Sequence, residues 1–321
     1  MKNHETAPAS GSDIPIIDIT ALRDGSDEEA VARALFAASR DHGFLYVSGH
    51  GVPASVLDAA RDEAFAFFRG TALSKSAVMV SARHRGWLGQ GGSRMRDDVP
   101  PDLKESFIWG LEETVPLDDH PLRGENQWPS AQPGLRAAAL DWFTHATVVA
   151  RHLLRGFAIG LEVAPDCFLR HVERPLSRAS FVWYPPADAR EANNAFGVGP
   201  HTDFGVLTVL CQDDVGGLEV QGVDGRWQAA SPVEGTLVVN VADLLARWTN
   251  GACRSTPHRV VNRSGRERLS LVLAFDPEPG TRVDSRDVVG EDVPGQPEPI
   301  TCGDYLVERF ARAFAYRQNA S

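Results

Sequence analysis

The chain has 321 residues, 43% of them hydrophobic, and carries 43 acidic against 32 basic side chains, for a formal net charge of −11. Such a length and apolar content can fill one large core, because β barrels and sandwiches often run to about 200–250 residues without dividing. The net negative charge excludes nucleic acid as principal partner, since phosphate binding needs a concentrated basic surface.

Met1 to Asp13 is polar, without the apolar centre of a signal peptide, and residues 1–12 read as a flexible lead. No apolar run approaches the roughly 20 residues of a membrane span, so the expected compartment is the cytoplasm, with no membrane contact and no protein partner signalled. Ser26 and Glu29 form a capping-box pattern. Ala30, Val31, Ala34, Leu35 and Ala38 follow at helical spacing, predicting a helix that ends near Gly43. Phe44-Leu45-Tyr46-Val47 is a predicted strand. Pro53 opens a second helix with an apolar stripe of Val56, Leu57, Ala60, Ala64 and Phe67, stopping at Gly70. Residues 83–104 are rich in Gly, Arg and Asp without a period and read as a loop, the kind of segment that carries specificity. A long helix is expected from about Gln132 to Leu161. Beyond it, short β-branched runs alternate with Gly-containing turns, Asp224-Gly225 reading as a hairpin turn. The Pro/Gly-rich stretch from Phe275 to Pro299 is irregular, and Tyr305 to Tyr316 reads as a closing helix. Cys167, Cys211, Cys253 and Cys302 are widely spaced, with no C-x-x-C, and read as reduced thiols.

The chemistry concentrates in His201-Thr202-Asp203, followed further along by His258 and by Arg268-Leu269-Ser270. On a strand His201 and Asp203 would project to one face and Thr202 to the other. Pro257-His258 opens the apolar run Val260-Val261, which predicts another strand. Two imidazoles and one carboxylate can occupy one face of an octahedral iron and leave the other face open. Arg268 and Ser270 also share a strand face, and a guanidinium beside a hydroxyl suits a carboxylate. The His-x-Asp triplet alone fits an ordinary hydrogen-bonded pair as well as a metal site; order and spacing of the whole set carry the metal reading. His42, His50, His84, His120, His145, His152 and His171 have no partner at ligand spacing and read as surface or hydrogen-bonded residues.

In this order and spacing the chain resembles the isopenicillin N synthase-like family of iron(II) and 2-oxoglutarate-dependent dioxygenases. The matching segments are Ile14-Pro15-Ile16-Ile17-Asp18, Gly43 to Pro53, Asp102-Leu103-Lys104-Glu105-Ser106-Phe107 with Gly110, Tyr184-Pro185-Pro186, His201 to Gly205, Gln212 to Leu218, Asn240 to Asp243, Arg247 to Gly251, Arg254 to Val260 and Arg268 to Ser270. The resemblance implies a mainly β fold with flanking helices around a double-stranded β-helix, a cupin-like jelly roll. It implies one catalytic domain over 13–321, with a mixed helical region at 13–175, the β-helix core at 176–280 and a closing segment at 281–321.

In that reading His201, Asp203 and His258 ligate iron(II), while Arg268 and Ser270 bind the far carboxylate of 2-oxoglutarate with the support of the Tyr184 hydroxyl. Asn240, Asp243, Trp248 and Asn250 build the turn and the hydrogen bonds around the metal. Val182 and Ser180 depart from the family's usual Asn and basic residue. The implied reaction consumes dioxygen and 2-oxoglutarate, releases succinate and carbon dioxide, and hydroxylates or desaturates a small organic molecule. Arg85, Trp87, Arg94 and Arg96, with Phe204, Phe275, Phe314 and Tyr316, are the candidates for the substrate mouth. Two other readings of the same residues are an oxidative cyclase that does without 2-oxoglutarate and a zinc hydrolase using the same His, Asp and His.

Overall fold

The computed structural model describes residues 14–94, 100–112, 119–186, 196–291 and 293–318. In chain order the elements are β1 (Ile16–Asp18), α1 (Thr20–Asp24), α2 (Glu28–Asp41), β2 (Phe44–Ser48), α3 (Ala54–Phe68), α4 (Ala72–Ser76), β3 (Gly86–Leu88), β4 (Glu105–Gly110), α5 (Pro133–Gly160), β5 (Arg178–Tyr184), β6 (Val198–His201), β7 (Leu207–Gln212), β8 (Leu218–Gln221), β9 (Trp227–Ala229), β10 (Leu237–Val241), α6 (Asp243–Trp248), β11 (His258–Val260), β12 (Arg268–Phe275), β13 (Arg282–Val283), α7 (Arg286–Val289), β14 (Ile300–Thr301), α8 (Cys302–Ala313) and α9 (Ala315–Gln318).

An eight-stranded sheet in the order β1-β2-β10-β7-β12-β5-β4-β3 packs with a four-stranded sheet ordered β6-β11-β8-β9. Apart from the parallel β1–β2 pair, the strands of both sheets pair antiparallel. This is the jelly roll the sequence implied. The first 110 residues add β1 to β4 to the large sheet, and one apolar cluster runs from Ile17 to Phe314.

Strand alternation divides the apolar residues between two cores. On β12, Leu269, Leu271, Leu273 and Phe275 face the larger core, which includes Trp142, Phe143, Ala146, Val149 and Leu153 of α5. The intervening Arg268, Ser270, Val272 and Ala274 have the opposite parity, as do Arg178, Ser180, Val182 and Tyr184 on β5 relative to Ala179 and Phe181. That second face closes over Phe44, Tyr46, Val198, Leu218, Val238 and Val260, the lining of the barrel. The site is therefore framed by rigid strands.

Helix α5 begins with Pro133, whose missing N–H costs nothing in a first turn, and none of its described residues forms a membrane-length apolar stretch. Asp27, not Ser26, caps α2: its carboxylate accepts from the Ala30 amide at 3.1 Å, while the Ser26 amide is taken by Asp24 Oδ1 at 2.9 Å. The stretch expected to be a loop contains β3, a three-residue strand too short to show a period, paired with β4. The closing helix starts at Cys302, where the Thr301 hydroxyl accepts from the Asp304 amide, and breaks at Phe314.

Candidate active site

His201 and His258 face each other as paired residues of β6 and β11, their ring centroids 4.2 Å apart. Strand β6 ends at His201, so Asp203 does not arrive by strand alternation as expected; it comes from the following turn, and Thr202 lines the same cavity. The turn is pinned by α6, whose Asp243 amide donates to Asp203 O at 2.8 Å and whose Leu244 amide donates to Gly205 O at 2.8 Å. Ligand-forming atoms of His201, Asp203 and His258 all lie within 4.8 Å of one another.

The hydrogen bonds around these three side chains sort their atoms. His201 Nδ1 lies 2.8 Å from Gly199 O and His258 Nδ1 lies 3.2 Å from Thr256 O. A carbonyl only accepts, so each Nδ1 carries the proton and each Nε2 presents a lone pair. Asp203 Oδ2 accepts from the Thr208 hydroxyl at 2.6 Å and from Asn240 Nδ2 at 2.8 Å. That leaves Oδ1, 3.7 Å from both Nε2 atoms. Burial, then the His258 neighbour, pulls the His201 pKa down to about 3 against the opposing pull of Asp203, so the ring is neutral. Burial raises the Asp203 pKa, but the two imidazoles and the bonds from Asn240 and Thr208 outweigh it and hold the carboxyl below its ordinary range. Two imidazole nitrogens and one carboxylate oxygen around one point fit a divalent metal with open positions, the donor set of non-haem iron oxygenases.

Deeper in the barrel, Arg268 is fully buried. Its Nε donates to Gly216 O at 2.6 Å and its Nη1 to Ser270 Oγ at 2.7 Å, while the buried Nη2 has no hydrogen-bond partner. A buried guanidinium with a spare donor is costly unless an anion completes it, and a carboxylate fits that fork. The guanidinium carbon lies 4.8 Å from the centroid of the Tyr184 ring, which is its rung partner on β5. Burial pushes the Tyr184 hydroxyl up to about 12, so it stays a proton donor. Gly216 sits in a turn that continues through Gly217, where φ is +89° and a Cβ would lie 2.7 Å from Val261 O, so only glycine fits.

A cavity of about 200 Å³ is lined by His201, Asp203, His258 and Tyr184, whereas Arg268 and Ser270 do not line it. Of the residues expected at its mouth, Phe204 and Phe314 line it. Phe275 does not; its odd position on β12 turns it into the larger core, where it is fully buried. Arg85 also faces away, buried with its Nη1 donating to His84 O at 3.1 Å. The Trp87 indole donates to Glu105 at 2.8 Å. Arg94 is exposed and outside the lining, its amide bonded to Ala313 O at 3.0 Å, and Arg96 lies outside the described residues. The Tyr316 hydroxyl bonds His84 Nδ1 beside the lining rather than in it.

Lining residues not anticipated as site residues include Lys104, Arg178, Thr208 and Phe310. Arg178 was readable, since it shares parity with Tyr184 six positions later on the same strand. It pairs with Asp276 at 3.0 Å, and its guanidinium lies 4.6 Å from the Phe310 ring centroid. Asp276 also accepts from the Val206 amide at 3.1 Å, and a Cβ on Gly205 would collide with its Oδ1.

Residues 14–131 match the model described as the non-haem dioxygenase in morphine synthesis N-terminal domain, and residues 167–277 match the 2OG-Fe(II) oxygenase superfamily. A 2-oxoglutarate-Fe(II) type oxidoreductase of Metarhizium rileyi is 32% identical, over 94% of this chain and 88% of that protein. Validamycin A dioxygenase of Streptomyces hygroscopicus subsp. limoneus is 35% identical, over 83% of this chain and 77% of that protein. Among solved structures, a full-length Neurospora crassa protein in complex with alpha-KG and thymine superposes with a TM-score of 0.83 at 25% identity, covering 95% of this chain and 98% of that one.

Proposed function

Because the chain belongs to the 2OG-Fe(II) oxygenase superfamily and is an iron- and 2-oxoglutarate-dependent dioxygenase, we propose that His201, Asp203 and His258 hold its iron, and that Arg268, Ser270 and Tyr184 anchor the co-substrate. The observation that carries this assignment is the presence, in one barrel, of three convergent donor atoms and a buried guanidinium that keeps one donor free. Bound iron supplies the oxidising chemistry, in which dioxygen is consumed, 2-oxoglutarate is decarboxylated to succinate, and a C–H bond of the substrate is oxidised.

The protein's own part is binding and orientation. Gly199 O and Thr256 O fix the imidazole tautomers, and Thr208 and Asn240 hold Asp203 with one oxygen aimed at the metal position. Arg268 sets the depth at which a dicarboxylate comes to rest. Val182, Leu210, Val238 and Val272 give the middle of the cavity a dry apolar wall that excludes water from the bound co-substrate. A cavity of about 200 Å³ lies below the usual range of ligand pockets, roughly 300–1,000 Å³, so a small molecule, or one narrow end of a larger one, is the substrate. Hydroxylation is the simplest outcome such a site supports, with desaturation the variant. Four unpaired cysteines suit the cytoplasm as its compartment.

The test is succinate release under oxygen with added iron(II) and 2-oxoglutarate. It should require all three components and vanish in His201→Ala, Asp203→Ala and His258→Ala. Oxygen uptake that needs an organic substrate but ignores 2-oxoglutarate would favour the cyclase reading, and hydrolysis supported by zinc would favour the hydrolase.

A further inference from the structure

Arg268 stands behind the Tyr184 end of the cavity and takes the co-substrate's far carboxylate in the reading above, whereas Lys104 and Arg178 line the cavity itself. Along β5 and β12 the rungs run from Tyr184 opposite Arg268, through Val182 opposite Ser270 and Ser180 opposite Val272, to Arg178 opposite Ala274. The last rung lies at the triad, because Ala274 also pairs with Thr208, which holds Asp203. Beyond it stand Phe204, Phe310 and Phe314, and among these lining residues is Lys104.

Lys104 is half-buried and differs from the buried Lys75. Lys75 Nζ donates to Phe68 O at 3.0 Å and to Glu105 Oε2 at 2.7 Å. The Lys104 side chain is 13% exposed, and its nearest carboxylate, Asp102, stands 3.7 Å away, beyond hydrogen-bond length. The Asp102 oxygens are already engaged, Oδ1 by the Gly199 amide at 3.1 Å and Oδ2 by the Ser93 hydroxyl at 2.7 Å. Among the described residues Lys104 Nζ makes no hydrogen bond, although it carries three donors. Arg178, by contrast, is satisfied by Asp276 and the Phe310 face. Lys104 lines the same cavity as His201, Asp203 and His258 and as Phe204, Phe310 and Phe314.

An ammonium with one carboxylate at 3.7 Å and no hydrogen bond among the described residues, in a cavity also lined by the triad and three aromatic rings, has donors left for an anionic ligand. We propose that Lys104 is the substrate-binding residue that recognises a carboxylate or similar anionic group, and that the primary substrate is a small organic acid whose apolar body packs on Phe204, Phe310 and Phe314. This rests on the iron and 2-oxoglutarate reading, in which Arg268 takes the co-substrate's far carboxylate and leaves Lys104 for the substrate.

The experiment uses the anaerobic iron(II) and 2-oxoglutarate enzyme, titrated calorimetrically with benzoate, phenylacetate and octanoate, each beside its neutral amide. Wild-type protein should bind at least one acid about tenfold or more tightly than its amide. Lys104→Met, which keeps the length of the side chain, should raise that acid's dissociation constant by about tenfold to a hundredfold and leave the amide within about twofold. Lys104→Arg should retain a preference for the acid. The 2-oxoglutarate dissociation constant should be the same in all three proteins. No acid preference in the wild type, equal loss of acid and amide in Lys104→Met, or loss of 2-oxoglutarate binding in that variant would each overturn the proposal. A wild type that fails to bind 2-oxoglutarate would instead refute the underlying reading, and the same acid and amide pairs titrated into the metal-free protein would then decide the role of the lysine.

Discussion

Arg268→Ala tests the deep end of the cavity. The substitution removes a guanidinium whose Nη2 is free and whose other nitrogens are held by Gly216 O and Ser270 Oγ. A hydrogen bond to a charged group contributes about 1.5–3 kcal/mol, and each 1.4 kcal/mol is about tenfold in affinity. The dissociation constant of 2-oxoglutarate should therefore rise by about tenfold to a hundredfold. Stability should fall as well, because the Gly216 carbonyl loses its buried partner at a cost of about 1–3 kcal/mol. Iron affinity should stay within about twofold, since Arg268 is not one of the three convergent donors. Arg268→Lys keeps the charge but loses the planar fork, so it should fall between wild type and alanine. Anaerobic iron(II) enzyme titrated with 2-oxoglutarate, followed by the visible metal-to-ligand absorption band, reads the co-substrate constant directly. A band whose midpoint is unmoved by Arg268→Ala would refute this placement of the carboxylate, and equal loss of iron and co-substrate would mean that the variant had collapsed the site.

Other perturbations probe the surrounding supports. Asn240→Ala and Thr208→Val each strip one hydrogen bond from Asp203 Oδ2; each should weaken iron binding by about tenfold to a hundredfold without changing the circular dichroism spectrum, and unchanged affinity in both would remove them from the site. Gly205→Ala should destabilise the fold by about 1–3 kcal/mol in urea titration, because its methyl would meet Asp276 Oδ1; a neutral effect would show that Asp276 is free to move. Burial, with Arg178 and Arg85 nearby, holds the His84 pKa well below its ordinary value of 6.5. Below about pH 6.5 the unfolded chain takes up a proton that native His84 refuses, so stability should fall as the pH drops through that window. His84→Asn, chosen because φ is +62° there, should be less stable at about pH 7 but show a shallower loss on going to about pH 5; an unchanged slope would exonerate His84.

The reach of the sequence varied with how local each signal was. The two histidines, Asp203, Arg268 and Ser270 were legible because their residue types and order form a single chemical set, and α5 was legible because a helix of 28 residues repeats its period many times. The route by which Asp203 arrives was not, since the end of β6 at His201 is decided by the hydrogen bonds from α6 to Asp203 and Gly205. Phe275 could have been excluded by counting: if Arg268 and Ser270 face inward, an odd-numbered neighbour on the same strand faces out. The same count would have found Arg178. Lys104 had no such rule, because it lies just before β4 and enters the cavity on a long side chain, a tertiary fact with no periodic trace. Arg85 and Arg94 of the 83–104 stretch failed for the opposite reason. Their composition suggested a function, while Arg85 was absorbed into loop carbonyls and Arg94 pointed to solvent.

The shared ladder of β5 and β12 makes the cavity a ruler. From the Arg268–Tyr184 rung to the Ala274–Arg178 rung is six residues on either strand, about 20 Å at the usual strand rise, and neither strand can stretch. A single residue inserted between Arg178 and Tyr184 in β5 would put those two side chains on opposite faces of the sheet, whereas a two-residue insertion would restore the facing and lengthen the scale by one division. In the proposed placement of the co-substrate, its far carboxylate is anchored by Arg268 and Ser270, two side chains whose positions this ladder fixes. The residues beyond the last rung, Phe204, Phe310 and Phe314, belong to turns and helix α8 and its end rather than to this ladder, so they can be exchanged without shifting its register.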